Sequence, residues 1–120
     1  MEAGTTDLHS ARTSTEKLQE DLLAEITRRI RAVSDPQQII LFGSYARGGS
    51  GPHSDLDLLV IKDDVDSTRA EAARIYRALA DLTVPVDVVV VRTAYVRRYG
   101  DLVGTVVRPA LREGKVLYAR

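Results

Sequence analysis

The chain contains no cysteine among its 120 residues, which excludes disulfide bonds, thiolate metal sites and a cysteine nucleophile. Only two histidines are present, His9 and His53, so any metal ion must be bound by oxygen ligands or by these imidazoles. No apolar run approaches the ~20 residues of a membrane-spanning helix, and residues 1–12 lack the apolar stretch of a signal peptide. The sequence therefore predicts a cytoplasmic protein with no membrane partner.

The net charge is zero, but it is distributed unevenly. Residues 92–120, the basic C-terminal segment, hold seven basic and two acidic residues. This segment is either a solvated helix face or a surface for an anionic partner or a nucleotide, and the sequence leaves both open. Direct nucleic-acid binding is not expected, and the choice between monomer, homo-oligomer and hetero-oligomer stays open.

Hydrophobic periodicity predicts two amphipathic helices. The first spans residues 13–34 and ends at Asp35-Pro36; the second spans residues 68–82. The predicted buried sides are formed by Leu18, Leu22, Ile26, Ile30 and Val33 in the first helix and by Ala72, Ile75, Leu79 and Leu82 in the second. Residues 1–12 are predicted to be disordered, and residues 13–120 to form a single domain.

Apolar runs predict strands at residues 37–42, 56–61 and 84–91. The third run is almost wholly β-branched, which favours a central strand buried on both faces. Residues 93–120 are predicted to be mostly helical, with a kink or restart at Pro109 and a short final strand at residues 116–118. Strands and helices that alternate in this way indicate an α/β fold.

A short motif connects the first two strands. Gly43-Ser44 follows the first strand, ten residues intervene, and Asp55-Leu56-Asp57 opens the second strand. At a typical usage of about 6% per residue type, four fixed positions match by chance about once in 10⁵ windows. The motif is therefore specific for its length.

The glycine and serine suit a phosphate group. Gly43 has no Cβ, so a ligand can approach its backbone closely. Ser44 is a good N-cap for a short helix, and a helix start offers free N–H groups to an anion. Arg47 is placed to help neutralise a triphosphate. The sequence does not decide whether His53 is a ligand, a proton carrier or an exposed loop residue.

The aspartates suit a divalent cation. Side chains alternate along a strand, so Asp55 and Asp57 point the same way, whereas Leu56 and Leu58 point into the core. Asp87, in the third apolar run, either shares a metal site with them or reaches water at an exposed strand start. Hard oxygen ligands favour Mg²⁺ or Mn²⁺ over Zn²⁺. Two such ions, held by Asp55, Asp57 and Asp87, would support phosphoryl transfer.

This pattern resembles the DNA polymerase β-like nucleotidyltransferase superfamily, and by size its minimal nucleotidyltransferases of the MntA type. The resemblance covers residues 37–91 by motif. It implies a nucleotidyltransferase fold with a short mixed sheet and helices packed on one side. It also implies transfer of AMP from ATP with Mg²⁺, and a HEPN-domain toxin as partner, modified on tyrosine by this antitoxin.

Two alternatives to a protein adenylyltransferase stay open. The chain could neutralise its partner by binding alone, as the basic C-terminal segment suggests. It could also modify a small molecule of the aminoglycoside type, although no further domain for a small acceptor is expected.

Overall fold

The computed structural model describes residues 14–43, 55–101 and 107–120. The four helices described there are α1 (Ser14–Ser34), α2 (Thr68–Ala78), α3 (Thr93–Tyr99) and α4 (Val107–Glu113). The four strands are β1 (Gln38–Phe42), β2 (Leu56–Lys62), β3 (Val86–Arg92) and β4 (Lys115–Ala119). The predicted strands and long helices are thus confirmed. None of the helices in these ranges is long and apolar enough to cross a membrane.

The strands form one mixed sheet in the order β3-β2-β1-β4. Strand β1 pairs antiparallel with β2 and with β4, whereas β2 and β3 run parallel. Helix α2 makes the crossover between β2 and β3, as parallel neighbours require. The predicted α/β fold with a short mixed sheet is confirmed.

Each face of the sheet packs against its own pair of helices. The long helices α1 and α2 cover the first face, where Ile26, Leu58 and Ile75 lie in one core cluster. The short helices α3 and α4 cover part of the second face, where Leu59, Val107 and Ala110 form a second cluster. The structure therefore adds short helices to the face opposite the long ones.

The position of β3 corrects one expectation. This strand was predicted to be central, but it lies at an edge of the sheet, with β2 as its strand neighbour. Its β-branched residues are explained by packing against α2 on one face and α3 on the other. The second-strand residues Leu56 and Leu58 are fully buried, as predicted.

The N-terminal end of the described chain differs in detail from the sequence pattern, whereas the C-terminal end follows it. Leu18 was predicted to be buried, but it is 68% exposed, because the α1 core contacts begin later, at Leu22 and Leu23. The tail was predicted to be mostly helical with a short final strand, and its described part, two seven-residue helices followed by β4, confirms this. Pro109 lies in the first turn of α4, where proline is tolerated, so the predicted restart is confirmed.

Tyr76 protects the free edge of β3. Its hydroxyl accepts a hydrogen bond of 2.8 Å from the backbone N–H of Val88. We expect Tyr76→Phe to lower the free energy of unfolding by about 1 kcal/mol, because this edge N–H loses its protein acceptor. Chemical denaturation measures the change. Tyr95→Phe is the matched control, since Tyr95 is equally exposed and its ring packs against Tyr99; an equal loss in both variants would contradict the prediction.

Candidate functional site

The sheet brings the three predicted aspartates together. In the parallel register Asp57 of β2 lies beside Asp87 of β3. Side-chain alternation places both on the second face, with Leu59 and Val89 further along the same strands. Asp55 is exposed one residue before β2 begins. The prediction that Asp87 joins Asp55 and Asp57 is consistent with this register.

The carboxylates differ in exposure. Asp57 is half-buried, whereas Asp55 and Asp87 are exposed. Asp87 thus lies at an exposed strand start, one of the two alternatives that the sequence left open, and it also neighbours Asp57. Burial raises the pKa of Asp57, and the nearby charges of Asp87 and Asp55 raise it further. The ionised form of Asp57 is therefore disfavoured by its burial and by its two acidic neighbours.

Gly43 lies against that carboxylate. It follows β1 directly, and its φ of +81° is in the left-handed region that favours glycine. A Cβ at this position would overlap the carboxylate of Asp57. The β1–β2 pairing, which places Phe42 opposite Asp57, explains this contact. The sequence alone linked Gly43 only to phosphate binding. Antiparallel pairing of the two apolar runs that form β1 and β2 is the signal that could have revealed its contact with Asp57.

We expect Gly43→Ala to lower the free energy of unfolding by about 2 kcal/mol, from the left-handed φ and the overlap with Asp57 together. In an Asp57→Ala background the same change should cost only about 1 kcal/mol, because the φ strain alone remains. A double-mutant cycle by chemical denaturation measures the difference. Equal costs in the two backgrounds would show that the contact with Asp57 contributes nothing.

Three predicted residues lie outside the described ranges. Ser44 and Arg47, which were predicted to bind the nucleotide, and His53 belong to residues 44–54, so their roles stay predictions. Within the ranges that are described, no three His, Cys, Asp or Glu side chains converge closely enough to be recognised as a metal cluster. Support for a metal-binding role of the three aspartates therefore comes from their carboxylate chemistry and from the β2–β3 register.

The chemistry of the donor set fits a divalent cation. All three side chains offer carboxylate oxygens, which are the ligands that Mg²⁺ prefers. The repulsion that raises the pKa of Asp57 is relieved when a cation lies between the carboxylates. Asp55, Asp57 and Asp87 would hold such an ion at the start of β2 and β3.

A sequence model of the family described as the nucleotidyltransferase domain matches residues 21–112, a range that includes all three aspartates and Gly43. A protein from Methanocaldococcus jannaschii, provisionally named a protein adenylyltransferase, is 38% identical over 64 residues. That alignment covers 52% of this chain and 44% of the relative, so the chain matches less than half of the relative's length.

Solved structures give the same fold. A toxin–antitoxin complex with AMP-PNP contains a chain that is 26% identical, with a TM-score of 0.54 over 82% of this chain and 73% of the other. A mutant MntA–HpeT toxin–antitoxin complex contains a chain of the same fold that is 24% identical, with a TM-score of 0.55 and the same coverage. These likenesses and the family match confirm the resemblance that was predicted from the motif.

Proposed function

This chain belongs to the nucleotidyltransferase domain family, and we propose that it transfers AMP from ATP to a hydroxyl group of a partner protein. The observation that carries the proposal is the placement of Asp55, Asp57 and Asp87 at one end of the sheet, with Gly43 turned against Asp57. The named relative supports a protein as acceptor, and the AMP-PNP complex supports an ATP-like donor.

In the proposed reaction the acceptor oxygen attacks the α-phosphorus of ATP. A new O–P bond forms, the bond from the α-phosphorus to the bridging oxygen breaks, and pyrophosphate leaves with that electron pair. Magnesium, when bound, would neutralise the leaving pyrophosphate and lower the pKa of the acceptor hydroxyl. The proton of the hydroxyl passes to Asp87 or to water, which balances the step.

The three carboxylates divide this work by their exposure. Asp57, the half-buried one, interacts electrostatically with both other carboxylates and would hold the metal ions together with Asp55. Asp87 is exposed at the start of the edge strand β3, where a bulky protein acceptor can reach it without crossing the sheet. We therefore assign the acceptor side of the site to Asp87.

The donor side follows from the turn after β1. Gly43 leaves its backbone open, and Ser44 with the amides that follow would bind the β- and γ-phosphates, helped by Arg47. The partner would be a HEPN-domain toxin and the acceptor a tyrosine of that toxin, as the resemblance implies. A toxin–antitoxin complex among the structural relatives supports an antitoxin role.

The proposal is tested by co-expressing this protein with the product of the neighbouring gene and measuring the intact mass of that product. The control variant is Asp64→Asn, because Asp64 is an exposed carboxylate outside the site. Wild type and this control should both give mass steps of one or more AMP units. Asp87→Asn should give none. Mass steps that persist in Asp87→Asn would refute the assigned role of that residue.

A second candidate function is neutralisation of the partner by binding alone. It is favoured by the exposed cations Arg97, Arg112 and Lys115 of the basic C-terminal segment, which form no ion pair within residues 14–43, 55–101 and 107–120. A stable complex without any mass step, unchanged by Asp87→Asn, would establish this function in place of catalysis.

A further inference from the structure

A groove of about 650 Å³ runs between helix α1 and strand β4, on the face of the sheet that carries the long helices. Its lining includes the apolar residues Leu23, Ala24 and Leu117 and the charged residues Glu20, Arg31 and Lys115. None of the three aspartates of the candidate site lines it. The groove is therefore a feature that the proposed chemistry does not use.

One wall of the groove is a free sheet edge. Strand β4 pairs only with β1 in the described sheet, so its outer backbone groups have no strand partner. An irregularity in the β1–β4 register makes Leu117 an extra residue, and both Leu117 and Tyr118 pack toward the α1 face. Val116, on the opposite side, is 55% exposed. An edge strand beside a helix is a geometry that accepts an added strand.

The charges that line the groove indicate which side chains an added strand would need. The Arg31 guanidinium lies 4.2 Å from the ring centroid of Tyr118, and neither Arg31 nor Lys115 forms an ion pair with the residues that the structure describes. By contrast, Arg28 is bound to Glu25, and Asp35 to Arg120. Glu20, the remaining charged residue of the lining, also has an interaction of its own, so the lining charges without an ion-pair partner among the described residues are those of Arg31 and Lys115, which are positive.

We propose that this groove docks an extended acidic segment of a partner protein, which adds to β4 as a fifth strand. Side chains of a strand alternate between its two sides. Acidic side chains would point into the groove toward Arg31 and Lys115, and apolar side chains would point to the other side, onto Val116. The preferred segment thus alternates acidic and apolar residues.

The groove lies on the opposite face of the sheet from the aspartates, but it reaches the same end of the sheet. Lys115 pairs with Leu41, two residues before Gly43, so β4 begins at the end of the sheet where the aspartates lie. A segment bound along β4 would leave the groove next to that end. Docking here would tether a partner protein at this end of the sheet, and in this respect the inference rests on the proposed function.

The proposed docking is tested with a labelled octapeptide of alternating glutamate and valine. Fluorescence anisotropy measures its binding to the protein in the absence of nucleotide. Wild type should bind this peptide and not its lysine–valine counterpart. Arg31→Glu/Lys115→Glu should weaken binding by about tenfold or more, because two attractions become repulsions. The matched control Arg69→Glu/Arg77→Glu makes the same charge change at exposed residues of α2 that do not line the groove, and it should change binding less than about twofold.

Hydrogen exchange of the complex locates the peptide, and slower exchange of the β4 amides is the expected result. Unchanged exchange in β4, no binding of the glutamate–valine peptide, or equal weakening by both double variants would overturn the proposal. Tighter binding of a thymidine oligonucleotide in the same groove would also overturn it and assign the groove to nucleic acid. Because the assay contains no ATP, its outcome does not depend on whether AMP is transferred.

Discussion

Asp57→Asn is expected to slow AMP transfer on the order of 10³-fold and at the same time to raise the free energy of unfolding of the metal-free protein. The rate falls because the half-buried member of the carboxylate group loses its charge, and with it the binding of the cation. The stability rises because burial and the charges of Asp87 and Asp55 oppose the ionised form of Asp57. The site thus holds unfavourable charge, which the proposed divalent cation would relieve.

The stability gain should depend on pH. The pKa of Asp57 is raised in the folded state, so the folded protein holds this proton more tightly than the unfolded chain does. Wild type therefore has its full stability below the usual aspartate pKa of about 4 and loses it as the pH rises through the raised value. The advantage of Asp57→Asn should be absent at low pH and grow with pH until Asp57 is ionised.

Thermal unfolding across this pH range measures the stability, and initial rates with a partner protein measure the transfer. Asp64→Asn is the control, because it removes an exposed carboxylate from the loop after β2. Adding Mg²⁺ and ATP should stabilise wild type and leave Asp57→Asn unchanged. A variant that is less stable than wild type at neutral pH without metal would contradict the electrostatic argument.

Glu71→Ala is expected to lower the free energy of unfolding by about 3 kcal/mol at neutral pH, which is on the order of 10 °C in melting temperature. Glu71 is only 6% exposed and accepts a 2.6 Å hydrogen bond from the Ser34 hydroxyl. Its carboxylate also lies 3.4 Å from the Lys62 ammonium and 3.1 Å from the Arg74 guanidinium. This cluster connects α1, β2 and α2, and the variant leaves Lys62 without its anion.

The cost of Glu71→Ala should shrink in acid. Burial alone would raise the pKa of Glu71, but the Ser34 hydrogen bond and the charges of Lys62 and Arg74 outweigh it and lower the pKa. A lowered folded pKa gives stability that is present above the usual glutamate value of about 4.3 and is lost as the pH falls through the folded value.

Urea denaturation at neutral and acidic pH measures this change, and Asp64→Ala supplies an exposed acidic control. A loss below about 1 kcal/mol at neutral pH would contradict the prediction, because it would show that the ion pairs of Glu71 contribute no more than ordinary surface ion pairs do. A loss that stays constant as the pH falls would show that packing, and not charge, explains the effect.

The sequence by itself determined the pieces of the fold and the composition of the site. Periodicity fixed α1, α2 and the strands because a helix or strand with one apolar face must bury it. The spacing of Gly43, Asp55 and Asp57 suggested the proposed chemistry, since alternation along one strand is a local property. The exclusion of thiolate chemistry likewise needed only the absence of cysteine.

The tertiary structure decided how those pieces meet. Whether a β-branched strand is central or at an edge depends on hydrogen bonds to distant strands, so the run that holds Asp87 did not reveal the edge position of β3. The contact of Gly43 with Asp57 depends on the β1–β2 register, and the pairing of Asp57 with Asp87 on the β2–β3 register. The cluster of Glu71 with Ser34 and Lys62 joins residues far apart in the chain. Registers and crossings of this kind arise from packing of the whole chain, which no local pattern contains.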